Sequence, residues 1–308
     1  MRARKLGFEA CDLVTIGFGL IVATIALAFR NHLDDPRVVG RYLAVAMGYA
    51  GAIRLLSRAG AKPMAMNLFR AVAISWAIPY MFLQLSQVLP FVVGMTYERD
   101  LVAIDTAIFG TEPLAALEPL LQPLVVDVLQ VAYVMFYPMF LWGLLLLFKR
   151  EYRDFNSYAA AVALVQCATY LGYFLVPAMS PYRVAALPEY AGLFHFTQPI
   201  QGWLIQPWLG PAIHHAESVT LDCFPSGHTA GAVTVLLAMW RWRRKVFWAI
   251  LPIQTMLILA TVYLRYHYVT DVLAGLVMGV ACWYGGIALN EWLLKEPDEV
   301  ELAKEVPS

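Results

Sequence analysis

The sequence predicts an all-α fold, a polytopic bundle of about eight transmembrane helices. Three observations point there. Hydrophobic residues make up 60% of the 308 and charged residues only 14%, where a soluble globular chain is about 45–50% apolar and about 25% charged. The mean hydropathy is +0.62. The apolar residues also gather into runs near the ~17–25 residues that a helix needs to cross a bilayer. Such hydrophobicity excludes disorder. Lys and Arg number 22 and Asp and Glu 22, so the net charge is zero and no basic excess suits a nucleic-acid partner. The expected partner is the lipid bilayer, and nothing in the sequence sets an oligomeric state.

The first run, 13–29, follows Arg2, Arg4 and Lys5 and ends in Ala26-Leu27-Ala28. That resembles a signal peptide with its cleavage site. The run exceeds the usual ~7–15 apolar residues, so it is expected to stay as an anchor. The second, 39–56, is the weakest because it carries Arg54. The third is 66–89, the fourth 124–148 and the fifth 158–176. The sixth, 226–240, is short, which suits a helix that begins inside a cavity. The seventh is 247–263 and the eighth 268–289.

Basic residues mark alternate connections. Arg2, Arg4 and Lys5 precede the first run, Arg58 and Lys62 follow the second, and Lys149, Arg150 and Arg153 follow the fourth. Arg241, Arg243, Arg244 and Lys245 follow the sixth, and Lys295 follows the eighth. Short cationic connections stay in the cytoplasm, so both termini are expected inside; only the turn with Arg30 and Arg37 dissents. The two long connections, 90–123 and 177–225, then face the extracytoplasmic side with few cations, Arg99 and Arg183. Tyr190, Trp203 and Trp208 suit interfacial anchoring, so short amphipathic helices along the outer leaflet are expected there. The chain divides into two N-terminal spans (1–64), a six-span membrane domain (65–292) and a charged tail (293–308).

Two segments carry chemistry. The first runs Cys223-Phe224-Pro225-Ser226-Gly227-His228-Thr229 and opens the sixth span. A helix start has unpaired N–H groups and the positive end of its dipole, and it attracts phosphate-like anions. Gly227 lets a ligand approach the backbone, and His228 sits within proton-transfer reach of anything bound there. The second runs Tyr263-Leu264-Arg265-Tyr266-His267-Tyr268-Val269-Thr270-Asp271 and opens the eighth span. His267 and Asp271 are four apart and share a face on a helix. A carboxylate on one ring nitrogen fixes the tautomer and raises the basicity of the other, which suits a nucleophile. Arg265 can serve the same site only if the chain breaks near Tyr266. The proposed topology puts both segments at one membrane face.

Phe224-Pro225-Ser226-Gly227-His228 together with His267-Tyr268-Val269-Thr270-Asp271-Val272 resembles the type 2 phosphatidic acid phosphatase superfamily. The Tyr-Leu-Arg-Tyr-His-Tyr context, with Ile104-Asp105 through Phe109-Gly110 and Pro113, resembles its inositol phosphorylceramide synthase branch. The resemblance covers roughly residues 90–285. It implies a six-helix phosphatase-type core and a lipid-phosphate phosphatase, or a lipid head-group phosphotransferase, without metal or cofactor. It implies His267 as nucleophile, Asp271 as its support, and His228 as the acid that protonates the leaving group. Phosphate would rest on Ser226, Gly227, Arg183, Tyr182 and Arg265. The family's first motif, a Lys followed seven residues later by Arg-Pro, has no counterpart; Pro181-Tyr182-Arg183 is nearest, and Thr261 stands where an Arg is usual. Gly227 resembles the phosphatases more than the synthases.

Two other readings compete: a proton-coupled transporter using His and Asp as a relay, and an inactive scaffold. Asp127, Arg54, Arg70, Gln84 and Gln87 suit interhelical hydrogen bonds. Asp105 is expected to fix its own loop and Asp222 to cap one. His195 reads as interfacial. His214 and His215 lack helical ligand spacing towards His228, so no metal site is expected, and the four cysteines suggest no disulfide framework.

Overall fold

Every apolar run is helical in the computed structural model, which describes residues 6–149, 151–216 and 219–294. The expectations for Arg2, Arg4, Lys5, Arg150, the His215 side chain and the tail from 295 onward lie outside the described residues. The long helices are α1 (Ala10–Ala28), α2 (Arg37–Arg58), α3 (Pro63–Leu83), α4 (Glu98–Phe109), α5 (Pro123–Val134) and α6 (Phe136–Leu147). They continue with α7 (Tyr152–Leu175), α8 (Gln206–Ala216), α9 (Gly227–Trp242), α10 (Arg244–Tyr263) and α11 (Val269–Leu294). No strand occurs among the described residues; the fold is all-α.

By length and composition alone, fewer than eight of the described helices qualify as membrane spans. Five helices are long and apolar enough to cross a membrane, or six if the bent pair α5–α6 counts as one. The two that fall short have separate causes. α2 carries Arg37, Arg41, Arg54 and Arg58. α9 has only 16 residues, roughly 24 Å at ~1.5 Å each. The fourth run is broken as well: α5 and α6 meet at Met135 with a 46° bend. Pro138 in the first turn of α6 has no N–H to donate to Val134, which favours a break there. The loop expected at 241–245 shrinks to Arg243, the one residue between α9 and α10.

α7 is the central post, packed on α1, α3, α6, α9 and α11. Its stretch Ala159, Ala160, Ala161, Val162 and Ala163 is fully buried. Small residues let helix backbones approach closely where no water-driven force assembles them. Two close approaches join α9 to α11. A Cβ on Gly275 would lie 2.6 Å from the Ser226 carbonyl oxygen, and one on Gly279 2.6 Å from that of Ala230. Those two glycines set the distance between the helices that carry the two motifs.

Buried carboxylates organise the long connections, because each accepts backbone N–H groups that would otherwise be orphaned. Asp105 accepts from the N–H groups of Val269 and Thr270 at 2.8 and 2.7 Å and from the Thr270 hydroxyl, so it caps α11 and ties α4 to it, where the sequence suggested a role within its own loop. Asp127 accepts from four successive N–H groups, Trp203 to Gln206, at 2.8–3.0 Å. It serves the start of α8, not a neighbouring helix. Glu98 accepts from Met179 N–H and the Tyr190 hydroxyl. Glu118 accepts from Gln198 N–H, Thr197 N–H and the Thr197 hydroxyl, and these bonds hold its carboxyl below the usual range. The second connection is therefore irregular over most of its length, with α8 as its one long helix, and not the string of helices expected.

The expected interhelical bonds form on the N-terminal side. Arg70 of α3 is 1% exposed and donates to Asp12 of α1 at 2.9–3.1 Å. Tyr49 of α2 adds its hydroxyl to the same carboxylate at 2.7 Å. Gln84 and Gln87 both accept from Arg41, whereas Arg54 donates to the Leu6 carbonyl, which precedes α1, and so does not join two helices. Removing one partner of a buried pair strands the other charge. Arg70→Ala is thus expected to destabilise the protein by about 3–5 kcal/mol, read as a lower unfolding midpoint in detergent. Arg70→Met combined with Asp12→Leu should recover most of that loss.

Candidate active site

The two motifs meet where α9 and α11 begin. Ser226 is the N-cap of α9; its hydroxyl accepts from Thr229 N–H at 3.3 Å. Its own N–H donates to the Asp271 carbonyl at 3.1 Å, which ties one motif to the other. His228 follows in the first turn. Its ring lies between Tyr133 (4.3 Å between centroids, 20° between planes) and Phe136 (4.0 Å). Those residues stand on either side of the α5–α6 bend, so the break builds the slot that orients the imidazole. His228 Nε2 is buried and makes no hydrogen bond.

His267 is not on a helix face. The chain leaves α10 at Tyr263, turns left-handed at Arg265 (φ +60°) and starts α11 only at Val269. His267 lies in that turn, its N–H bonded to the Thr261 carbonyl at 2.8 Å. It therefore folds back over the helix start, and its Nδ1 reaches Asp271 Oδ2 at 3.2 Å. The four-residue spacing brings the pair together through a turn where the sequence suggested helical stacking. Asp271 Oδ2 also accepts from Tyr268 N–H at 3.0 Å and from the Cys223 thiol at 2.9 Å. With Nδ1 engaged, Nε2 is the nitrogen of His267 left for chemistry. The His228 and His267 rings stand 5.8 Å apart, edge to face.

Both rings line a cavity of about 100 Å³ together with Gly227, Asp222 and Cys223. The rest of its wall is largely aromatic, and Pro79 and Phe82 of α3 contribute to it. Asp271 stands behind His267. Ser226 is fully buried with its hydroxyl turned to its own helix. The three residues expected to add phosphate contacts are not among those lining the cavity. Arg265 pairs with Glu118 at 2.9 Å and lies 3.7 Å over the Phe196 ring. Arg183 donates from Nε to the Tyr182 hydroxyl at 2.8 Å, and Tyr182 stacks on His214 at 4.2 Å. Tyr182 also meets Tyr266 edge to face, and Tyr266 reaches the cavity.

Sequence reasoning gave too little weight to two residues in this wall. Asp222 and Cys223 were visible as neighbours of the Pro-Ser-Gly-His string, and that adjacency was the available signal. Tyr133 and Phe136 had none, because their place depends on where α6 bends. Burial pushes the Asp222 carboxyl up to about 6, while the charges of His267 and Arg183 act the other way.

The family described as the PAP2 superfamily matches residues 99–285, more than half of the chain. No curated protein and no solved structure matches it. α1 to α3, including the cavity residues Pro79 and Phe82, lie outside the matched range.

With its carboxyl raised to about 6, Asp222 is neutral below that pH and charged above it. Infrared difference spectra of wild type against Asp222→Asn should show a protonated carboxyl band that disappears with a midpoint near pH 6. A midpoint at the ordinary aspartate value would contradict the burial of this group.

Proposed function

This chain belongs to the PAP2 superfamily, and on that footing we propose that it is an integral membrane lipid-phosphate phosphatase that works through a phosphohistidine at the extracytoplasmic face. The observation that carries the reading is the pair of imidazoles facing one cavity. One is backed by a carboxylate, and the other has an unbonded Nε2.

The phosphoryl group of an amphiphile enters from the bilayer and rests between the rings. The first N–H groups of α9, at Gly227 and His228, have no carbonyl partner within their helix and face developing negative charge. Arg183 with Tyr182, and Arg265 shared with Glu118, add positive potential from behind the aromatic wall. His267 Nε2 attacks phosphorus, and the bond from phosphorus to the ester oxygen breaks. Asp271 holds the imidazole in the reactive tautomer and stabilises the charge it gains. His228 gives its proton to the departing oxygen. Water then attacks the phosphohistidine while His228 takes up the proton, and phosphate leaves. The outward orientation rests on the cations: His228 opens α9, and Arg241, Arg243 and Arg244 gather at its far end.

One observation favours a second reading, head-group phosphotransfer. The cavity is small, its wall is mostly aromatic, and no cationic side chain lines it. Such a wall disfavours water and suits the hydroxyl of a second lipid as the acceptor.

His267→Ala should lose turnover to background on every lipid phosphate offered, and acid-labile, base-stable phosphoenzyme should vanish with it. His228→Ala should lower turnover about 10²–10⁴-fold. That defect should shrink when the leaving group is a nitrophenolate that needs no proton. Free inorganic phosphate as the product marks hydrolysis, and a new head-grouped lipid marks transfer. Full turnover by His267→Ala would end both readings.

A further inference from the structure

Cys223 belongs to neither histidine's expected role, yet its sulfur lies against both members of the His–Asp pair. Sγ is 2.9 Å from Asp271 Oδ2 and 3.5 Å from His267 Nδ1, and those two atoms are 3.2 Å apart. All three residues are buried. Among the described residues, no other group of His, Cys, Asp and Glu brings three such donor atoms within 4.8 Å of one another. The other Asp271 oxygen, Oδ1, is buried and makes no hydrogen bond.

Zinc binds thiolate at about 2.3 Å and imidazole or carboxylate at about 2.0–2.2 Å, usually as a tetrahedron. The edges of such a tetrahedron are about 3.3–3.6 Å long. The sulfur–nitrogen side of the Cys223–His267–Asp271 triangle, 3.5 Å, already has that length, the nitrogen–oxygen side, 3.2 Å, is just short of it, and the sulfur–oxygen side, 2.9 Å, needs to open by roughly 0.6 Å. The donor set of one sulfur, one imidazole nitrogen and one carboxylate oxygen matches zinc and cadmium and excludes magnesium and calcium, which take oxygen.

We infer that Cys223 Sγ, His267 Nδ1 and Asp271 Oδ2 form a soft-metal site that holds Zn²⁺ and, when filled, switches the proposed enzyme off. The metal displaces the thiol proton, which passes to solvent, and the His267 proton moves from Nδ1 to Nε2 as the neutral imidazole binds through Nδ1. Asp271 then bonds the metal and no longer supports the imidazole. With Nε2 protonated, His267 has no lone pair left there to attack phosphorus. The fourth position is left for water or a phosphate oxygen. The inhibition rests on the phosphohistidine reading; the binding of metal does not.

The test uses the purified full chain in detergent with Cd²⁺ as the probe, because cadmium thiolate has its own ultraviolet charge-transfer band. One Cd²⁺ per chain with that band is expected, displaced by Zn²⁺ and by a chelator. Cys223→Ser should remove the band and weaken binding at least about tenfold, the least that loss of even an outer-shell partner of a ligand costs. A variant with Cys11, Cys167 and Cys282 all changed to Ser should keep both, and it decides the matter alone if Cys223→Ser does not fold. Zn²⁺ should reduce turnover in step with occupancy. Absence of the band in the wild type or in the triple variant, or its persistence in Cys223→Ser, overturns the site. Full turnover at full occupancy overturns the switch. A chain that shows the band and turns over no lipid phosphate counts against the proposed function and leaves the metal site standing.

Discussion

The candidate site depends on one residue that faces two ways. The Asp271 side chain gathers the His267 imidazole, the Tyr268 N–H and the Cys223 thiol, while its backbone carbonyl accepts from Ser226. Ser226 in turn caps α9, the helix whose first turn carries His228. A single aspartate thus fixes the ring of one histidine and the helix start that presents the other. Sequence separation between the motifs matters little once both hydrogen bonds are made. The two rings are held relative to each other by a short path of hydrogen bonds and not by the long connections around them.

That path requires two helix starts at the same depth. Gly275 and Gly279 provide the spacing, since a methyl group on either would strike a carbonyl of α9. Asp105 caps α11 from the first long connection, so the helix start is fixed by a residue from a distant part of the chain. Glu118 and Asp127 fix the second connection in the same manner. Ionisable groups at such depth are commonly taken as functional. Here several are scaffolding, because a carboxylate that accepts three or four N–H groups is satisfied where it stands.

The cavity gives the rings their setting. Its wall is mostly aromatic, and it draws Pro79 and Phe82 from α3, outside the range that matches the PAP2 superfamily. Phe82 stacks on Tyr170 at 4.7 Å, which in turn meets Phe18 of α1. The N-terminal helices are thus continuous with the site. A largely aromatic wall strengthens the charge interactions within it.

The sequence by itself determined the class of fold. Its apolar runs and sparse charge leave helices in a bilayer as the satisfying structure, because every backbone polar group must find an internal partner. The two short motifs named the family, since fixed spacing within a few residues constrains local geometry whatever surrounds it. Other features were beyond sequence. The bend at Met135, the left-handed turn at Arg265 and the meeting of Cys223 with Asp271 each follow from packing between segments far apart in the chain. Periodicity describes one helix at a time. Where a helix stops, which carboxylate caps it and which ring it traps are settled only when its neighbours are in place.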